Sequence, residues 1–212
     1  APQEYSAVAA RTRHIYELMK NEHPFLTSSE DSVFAALLAL SELMDEQIVE
    51  QTESCYQLLR EEFFSGNAIQ SLSHVLAMGQ GSPESKCHRL LNLYYALKEN
   101  GMRYGREYEL PTLGVLAMLP VGVDALTMDM AEVDEYLADQ RGYGFFGASR
   151  KQRLMHAAML VACDYTGGEN QTIMNTAALN GTIALIIAQE MAICATIAAS
   201  SAAAAAHSAA NS

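Results

Sequence analysis

Apolar side chains recur three and four positions apart along most of the chain, and capping residues, glycines and prolines separate the segments. That spacing places the apolar residues on one face of an α-helix. The pattern predicts helices over about residues 4–21, 28–40, 45–63, 67–78, 83–100, 110–119, 127–140 and 149–166, and a ninth that begins near residue 170.

Capping signals mark several of these helix starts. Thr27 followed by Glu30 has the spacing of a capping box, and Ser82 precedes a proline at the first helical position. Asn67 and Ser149 stand before the fourth and the eighth helix. No segment alternates apolar and polar residues as a half-buried strand does, so the sequence predicts an all-α fold.

The chain resembles itself at a spacing of 79 residues and, further along, at a spacing of 82. The matched pairs are Tyr16 with Tyr95, Leu18 with Leu97, Asn21 with Asn100, Glu30 with Glu109, Leu37 with Leu116 and Leu40 with Leu119, and then Gln70 with Gln152, Leu72 with Leu154 and His74 with His156. These matches predict two tandem, duplicated units of about four helices each, roughly residues 5–80 and 83–166, in a domain over residues 1–168.

Residues 169–212 differ in composition from the rest of the chain. They are apolar and Ala-rich, and Glu190 is the one formal charge after Glu169. The segment predicts a long C-terminal helix that packs on the domain or on a partner, including a second copy of the chain. A membrane span is disfavoured because Gln189 and Glu190 interrupt the apolar run.

The charge balance limits the class of partner. The chain has 25 acidic and 13 basic residues and a net charge of -12, and its basic residues are scattered. Such a surface repels phosphate backbones, so a nucleic-acid partner is excluded. The four cysteines lie far apart with no CxxC pair, which is typical of a reduced compartment and favours a cytoplasmic location.

Two Gln-x-Leu-x-His segments are the sharpest polar feature of the sequence. Gln70 with His74, and Gln152 with His156, lie four residues apart and therefore share a helix face. Two units related by a pseudo-two-fold axis could bring the imidazoles together to relay protons or share a metal. No further ligand has metal-binding spacing, so neither a metal nor a cofactor is predicted; the alternative is a hydrogen-bonded, half-buried pair.

Two other groups are candidates for a site. Glu30 and Asp31 are adjacent carboxylates at a helix start, where they could act as acid and base, although capping of the helix explains them equally well. The stretch that contains Arg103, Tyr104, Arg106 and Tyr108 could line a groove for a ligand or a peptide, or pack over the core. The acidic residues of the seventh helix are interpreted as a solvated face.

Four stretches, Phe25 to Asp31, Phe34 to Ala39, Gly66 to Leu76 and Pro111 to Leu119, resemble a family of uncharacterised bacterial proteins catalogued as domain of unknown function number 4003. The resemblance implies a helical, bacterial and cytoplasmic protein, with further residues before Ala1. It implies no activity and no catalytic residues.

These observations favour a non-enzymatic helical binding or scaffold protein that self-associates through its last helix. The alternative is a metal-dependent or acid–base enzyme that uses His74, His156, Glu30 and Asp31.

Overall fold

The computed structural model describes residues 2–27, 31–41, 43–143 and 147–167. Within those ranges the fold is all-helical, as predicted, with no strand. The eight helices are α1 (Pro2–Glu22), α2 (Asp31–Ala39), α3 (Asp45–Leu59), α4 (Gly66–Ala77), α5 (Pro83–Glu99), α6 (Leu110–Met118), α7 (Val123–Ala138) and α8 (Arg150–Gly167). The predicted ninth helix, in residues 169–212, lies outside the described residues.

Two of the predicted caps are confirmed. The hydroxyl of Ser82 accepts from the backbone N–H of Ser85 at 3.3 Å, and Pro83 is the first residue of α5. At α8 the hydroxyl of Ser149 accepts from the backbone N–H of Gln152 at 3.3 Å, while the Gln152 side chain accepts from the Ser149 N–H at 2.9 Å. This reciprocal pair is a capping box, with Gln in the place of Glu.

Other predicted starts differ from the structure. The seventh helix begins at Val123, with Gly122 as its N-cap, four residues before the predicted Thr127. The Thr127 hydroxyl donates to the Val123 carbonyl at 2.8 Å, so it bonds back into the preceding turn rather than capping a helix start. Thr27 donates to the carbonyl of Met19 at 3.2 Å, and its predicted partner Glu30 lies outside the described residues.

The helices pack in two layers. Each odd-numbered helix contacts the even-numbered helix that follows it, as hairpins do. The odd-numbered helices α1, α3, α5 and α7 also contact one another in order along one layer, and α2, α4, α6 and α8 do so along the other. The core lies between the layers, where the apolar stripe of each helix is covered.

The two central helices of the even layer, α4 and α6, are the most buried. Every α6 residue from Leu110 to Ala117 is buried. Gly114 allows α6 to approach α4 closely, because a Cβ at this position would lie 2.7 Å from a methyl group of Leu72 and 3.0 Å from one of Val75. The polar residues of α4 are therefore enclosed by neighbouring helices.

Candidate functional site

His74 and Gln70 lie one turn apart on α4, as predicted, and both are buried. The Gln70 amide donates to the Thr27 hydroxyl at 2.9 Å. Asp31, the first residue of α2, is also buried, and its Oδ1 lies 3.6 Å from the Nδ1 atom of His74. The structure therefore brings three of the predicted site residues, Asp31, Gln70 and His74, to one place; Glu30 lies outside the described residues.

His23 is a fourth polar side chain at this place, and it contacts a fifth, Glu53. Its Nε2 atom lies 2.9 Å from the Oε2 atom of Glu53 on α3. His23 and His74 line the same small cavity, and, in addition to burial, the electrostatic interaction with His23 lowers the pKa of His74. We name the set Asp31, His23, Glu53, Gln70 and His74 the His74 cluster.

Burial controls the charge of His74. The imidazole is 1% exposed, and burial, followed by the charge of His23, lowers its pKa to about 3. His74 is therefore neutral at pH 7. A separation of 3.6 Å from Asp31 is too long for a good hydrogen bond, so the contact is neither an ion pair nor a tight dyad.

The cavity of the His74 cluster is small. Its volume is about 20 Å³, and it is lined by Ile15, Met19, Glu22, His23, Ile48, Val49, Thr52, Glu53 and His74. A volume of this size holds about one water molecule. Within the described residues, the hydroxyl of Thr52 and the Nδ1 of His74 are buried without a hydrogen-bond partner. The site therefore suits one bridging water, not a substrate.

The second Gln–His pair has different contacts. His156 is half-buried, which lowers the pKa of its imidazole, and its Nδ1 lies 2.8 Å from the hydroxyl of Tyr143. Gln152 serves the α8 capping box. Since α6 packs against both α4 and α8, it separates the helices that carry the two imidazoles. Among the described contacts His74 meets Asp31 and Phe34 rather than His156.

The stretch from Arg103 to Tyr108 lies over the core. Tyr104 is 3% exposed, and its hydroxyl is 2.5 Å from that of Thr112. The Arg106 guanidinium donates to the Glu62 carboxylate at 2.9 Å and lies over the rings of Phe63, Phe64 and Tyr94. Tyr108 packs against the core, and Arg103 is exposed. Of the open alternatives for this stretch, the contacts favour core packing.

A larger concave surface lies between α7 and α8, and we name it the α7–α8 groove. Its volume is about 380 Å³, and its lining consists of Asp129, Glu132, Val133, Tyr136, Leu160, Val161, Asp164 and Tyr165. The Tyr165 hydroxyl donates to Asp129 at 2.6 Å, and this hydrogen bond, with burial, raises the pKa of Tyr165 to about 12. Nearby, Arg153 of α8 pairs with Asp134 of α7 at 2.6 Å.

Sequence reasoning missed both His23 and this groove. His23 has no motif spacing to His74, and a solvated face was the interpretation of the α7 carboxylates. The one available signal was a mixed polar and apolar face on α7 that lies opposite apolar Leu160 of α8. This face consists of Asp129, Glu132, Val133 and Tyr136, and it indicates a groove only once α7 and α8 are known to pair.

The described part of the chain shows neither a metal-binding cluster nor a membrane-spanning helix. No group of three or more His, Cys, Asp or Glu side chains there is arranged to hold a metal ion. None of the helices in those ranges combines the length and apolar content that crossing a bilayer requires.

Comparison with known proteins gives a family but no activity. The uncharacterised protein YeaA of Bacillus subtilis (strain 168) is 31% identical over 107 residues, which is 50% of this chain and 32% of the relative. The match thus spans about a third of the length of that relative. No solved structure matches the chain. A family model matches residues 2–191, and the chain therefore belongs to the family described as protein of unknown function (DUF4003).

Proposed function

We propose that this protein is a non-enzymatic helical binding protein and that the α7–α8 groove is its binding surface. The comparison of the two cavities carries the proposal. The cavity of the His74 cluster has a volume of about 20 Å³, whereas the groove has about 380 Å³, which is comparable to the range of about 300–1,000 Å³ of small-molecule pockets and large enough to admit side chains of a partner.

The lining of the groove defines the chemistry of the partner. Val133, Leu160 and Val161 supply an apolar surface, and Leu160 is 48% exposed. The carboxylates of Glu132 and Asp164 are exposed beside it. An amphipathic helix with apolar residues on one face and Lys or Arg at its edges complements both features.

The C-terminal segment of the chain itself is a poorer match for this charge pattern. Residues 169–212 contain no Lys or Arg, so they cannot neutralise the carboxylates of the groove. Charge complementarity thus favours a basic segment of another protein.

A designed helical peptide with Leu on one face and Lys on the other tests this proposal in a fluorescence-anisotropy titration. We expect the double variant Glu132→Gln, Asp164→Asn to bind it about tenfold more weakly, and the loss to shrink at high salt because exposed charges are screened. The matched control is Glu99→Gln, Asp124→Asn, which removes two exposed carboxylates outside the groove lining.

Equal losses in the two double variants would assign the binding to net charge and reject the groove. A full-length protein that does not bind the peptide would also reject the groove. A chain truncated after Gly167 that binds more tightly would show that the C-terminal segment competes for the groove.

Two tandem units remain the proposed architecture, and two arginine contacts support it. Arg11 on α1 donates to three main-chain carbonyls in and just beyond the last turn of α2, and Arg89 on α5 does the same at the end of α6. The acceptors are Ala39, Ser41 and Leu43 for Arg11, and Ala117, Leu119 and Val121 for Arg89. Each residue of the second set lies 78 positions after its counterpart.

Burial also favours a spacing of 78 over the spacing of 79 in this half of the chain. At 78, buried Ile15 and Met19 match buried Leu93 and Leu97. At 79, Met19 would match the exposed Lys98. In the last helix of each unit, the predicted spacing of 82 pairs buried Leu72 with buried Leu154.

An acid–base enzyme is the second candidate, since two imidazole–carboxylate contacts lie at the His74 cluster. Of its predicted residues, His74 and Asp31 belong to the cluster, whereas His156 contacts Tyr143. A reaction there would require the cavity to open, because about 20 Å³ does not admit an organic substrate.

A further inference from the structure

Two cysteines meet at the interface of α3 and α5. Cys55 is 0% exposed and Cys87 is 3% exposed. The Cys87 thiol donates to the main-chain oxygen of Cys55 at 3.9 Å, and the two thiols are close enough to shift the pKa values of each other. Both thiols are free. Side chains 32 positions apart in the sequence therefore form a buried dithiol.

A buried cation lies beside the dithiol. Lys86 is 7% exposed, and its ammonium donates to the Gln51 amide oxygen at 2.5 Å and to the Gly79 carbonyl at 3.4 Å. The interaction with the Cys87 thiol is the largest cause of the lowered pKa of Cys55; the charge of Lys86 lowers it further, whereas burial and the charge of Glu84 raise it. A neighbouring cation favours the thiolate over the thiol.

We propose that Cys55 and Cys87 are a redox site that peroxide oxidises reversibly to a disulfide between α3 and α5. The Cys55 thiolate attacks one oxygen of hydrogen peroxide, and the O–O bond breaks. Cys55 becomes a sulfenic acid, and the departing hydroxide takes up a proton to form water. The Cys87 sulfur then attacks the Cys55 sulfur, the S–O bond breaks, and hydroxide leaves with the Cys87 proton as a second water.

Hydrogen bonding assigns different roles to the two sulfurs. The bond with Cys87 lowers the pKa of the Cys55 thiol, and the same bond, together with burial, raises the pKa of the Cys87 thiol. The main-chain oxygen of Cys55 also accepts from the Cys87 thiol, so we assign Cys87 as the protonated, resolving thiol and Cys55 as the sulfur that attacks peroxide. Peroxide is small enough to reach this interface through transient opening, whereas a large disulfide reagent is not.

Oxidation would join the two halves of the molecule. Cys55 lies on α3, among the first four helices, and Cys87 lies on α5, which begins the next four. The disulfide would tie these helices within the odd layer. This site is separate from the α7–α8 groove, so it does not depend on the proposed binding function.

The test is peptide mapping of the full chain after treatment with hydrogen peroxide, without reduction. We expect a cross-linked peptide pair that contains Cys55 and Cys87, its disappearance after dithiothreitol, and a raised thermal unfolding midpoint of the oxidised protein. When the peroxide-treated variants are unfolded in the presence of dimedone, the reagent should label Cys55 in Cys87→Ser as the trapped sulfenic acid, and it should not label Cys87 in Cys55→Ser.

Cys163→Ser is the matched control, because Cys163 is exposed and should not contribute to the cross-link. Circular dichroism confirms that each variant is folded. Oxidation of Cys163 in wild-type protein with no Cys55–Cys87 link would overturn the proposal, and so would a link that involves Cys163 or Cys194. Dimedone labelling of Cys87 in Cys55→Ser would reverse the two roles.

Discussion

Burial has a larger effect on His74 than the carboxylate beside it. Asp31 lies 3.6 Å away and would favour a charged imidazole, yet removal from water and the nearby His23 lower the His74 pKa from 6.5 to about 3. The imidazole is therefore a neutral polar group of the core. Burial of the neutral His74 imidazole lowers the stability of the fold only at a pH low enough to protonate this imidazole in the unfolded chain.

The stability of the protein should fall between pH 7 and pH 5. The folded-state pKa of His74 is lower than its unfolded value, so the unfolded chain binds the extra proton in this range. The stabilisation is fully present above about pH 6.5 and is lost as the pH falls towards 3. We expect a loss of about 2 kcal/mol from pH 7 to pH 5, measured by urea unfolding.

His74→Gln should remove most of this pH dependence, whereas the matched change His14→Gln, at a side chain 60% exposed, should leave it unchanged. His156 contributes in the same direction, because burial also lowers its pKa. An unchanged slope in His74→Gln would contradict the assignment.

Arginine contacts hold the ends of two short helices in place. Arg89 donates to the Ala117 carbonyl at 2.6 Å and to the Leu119 carbonyl at 2.7 Å, beyond the point where α6 can satisfy these groups itself. A cation at a helix C-terminus also interacts favourably with the helix dipole. Because α6 is only nine residues long, its stability depends on such tertiary contacts.

Arg89→Met should destabilise the protein by about 2 kcal/mol, since it leaves buried carbonyls without a charged donor while keeping most of the apolar stem. Arg89→Lys should recover only part of the loss, because an ammonium cannot reach several carbonyls in the fork geometry of Arg. The measurement is the midpoint of urea unfolding at unchanged slope.

The exposed Arg103→Met is the control for this change and should stay within about 0.5 kcal/mol of the wild type. A similar small effect of Arg89→Met would show that solvent satisfies the carbonyls equally well.

At the scale of the whole molecule, two layers of helices leave α7 and α8 at one end of the stack. These helices carry the groove, and their six acidic residues outnumber their three basic residues, so three of the twelve net negative charges lie there. The segment from 169 to 212, which follows α8, has almost no charge. We therefore expect a basic partner to bind at α7 and α8, and an apolar contact to form through residues 169–212.

We expect the full chain to self-associate through residues 169–212, which lie outside the described residues. Size-exclusion chromatography with light scattering should give a mass larger than one chain for residues 1–212, and a monomer for a chain truncated after Gly168. Apolar helices that a domain does not cover bury their surface against another copy. Equal association states for the two forms would contradict this prediction.

Helix periodicity and capping depend on residues within four positions of one another, so the helical class, most helix positions and the caps at Ser82 and Ser149 are predictable from the sequence. The sequence also placed Gln70 and His74 on one helix face. The start of α7 was misplaced, since Gly122 gives no side-chain signal and Thr127 can bond into the preceding turn.

Only the tertiary structure decided which distant groups meet. It placed His23 rather than His156 near His74, brought Cys55 to Cys87, and formed the groove from α7 and α8. These contacts join residues that lie on different helices, and the packing of the two layers selects among many pairings with similar local patterns. Burial then set the charge of His74, which no sequence spacing encodes.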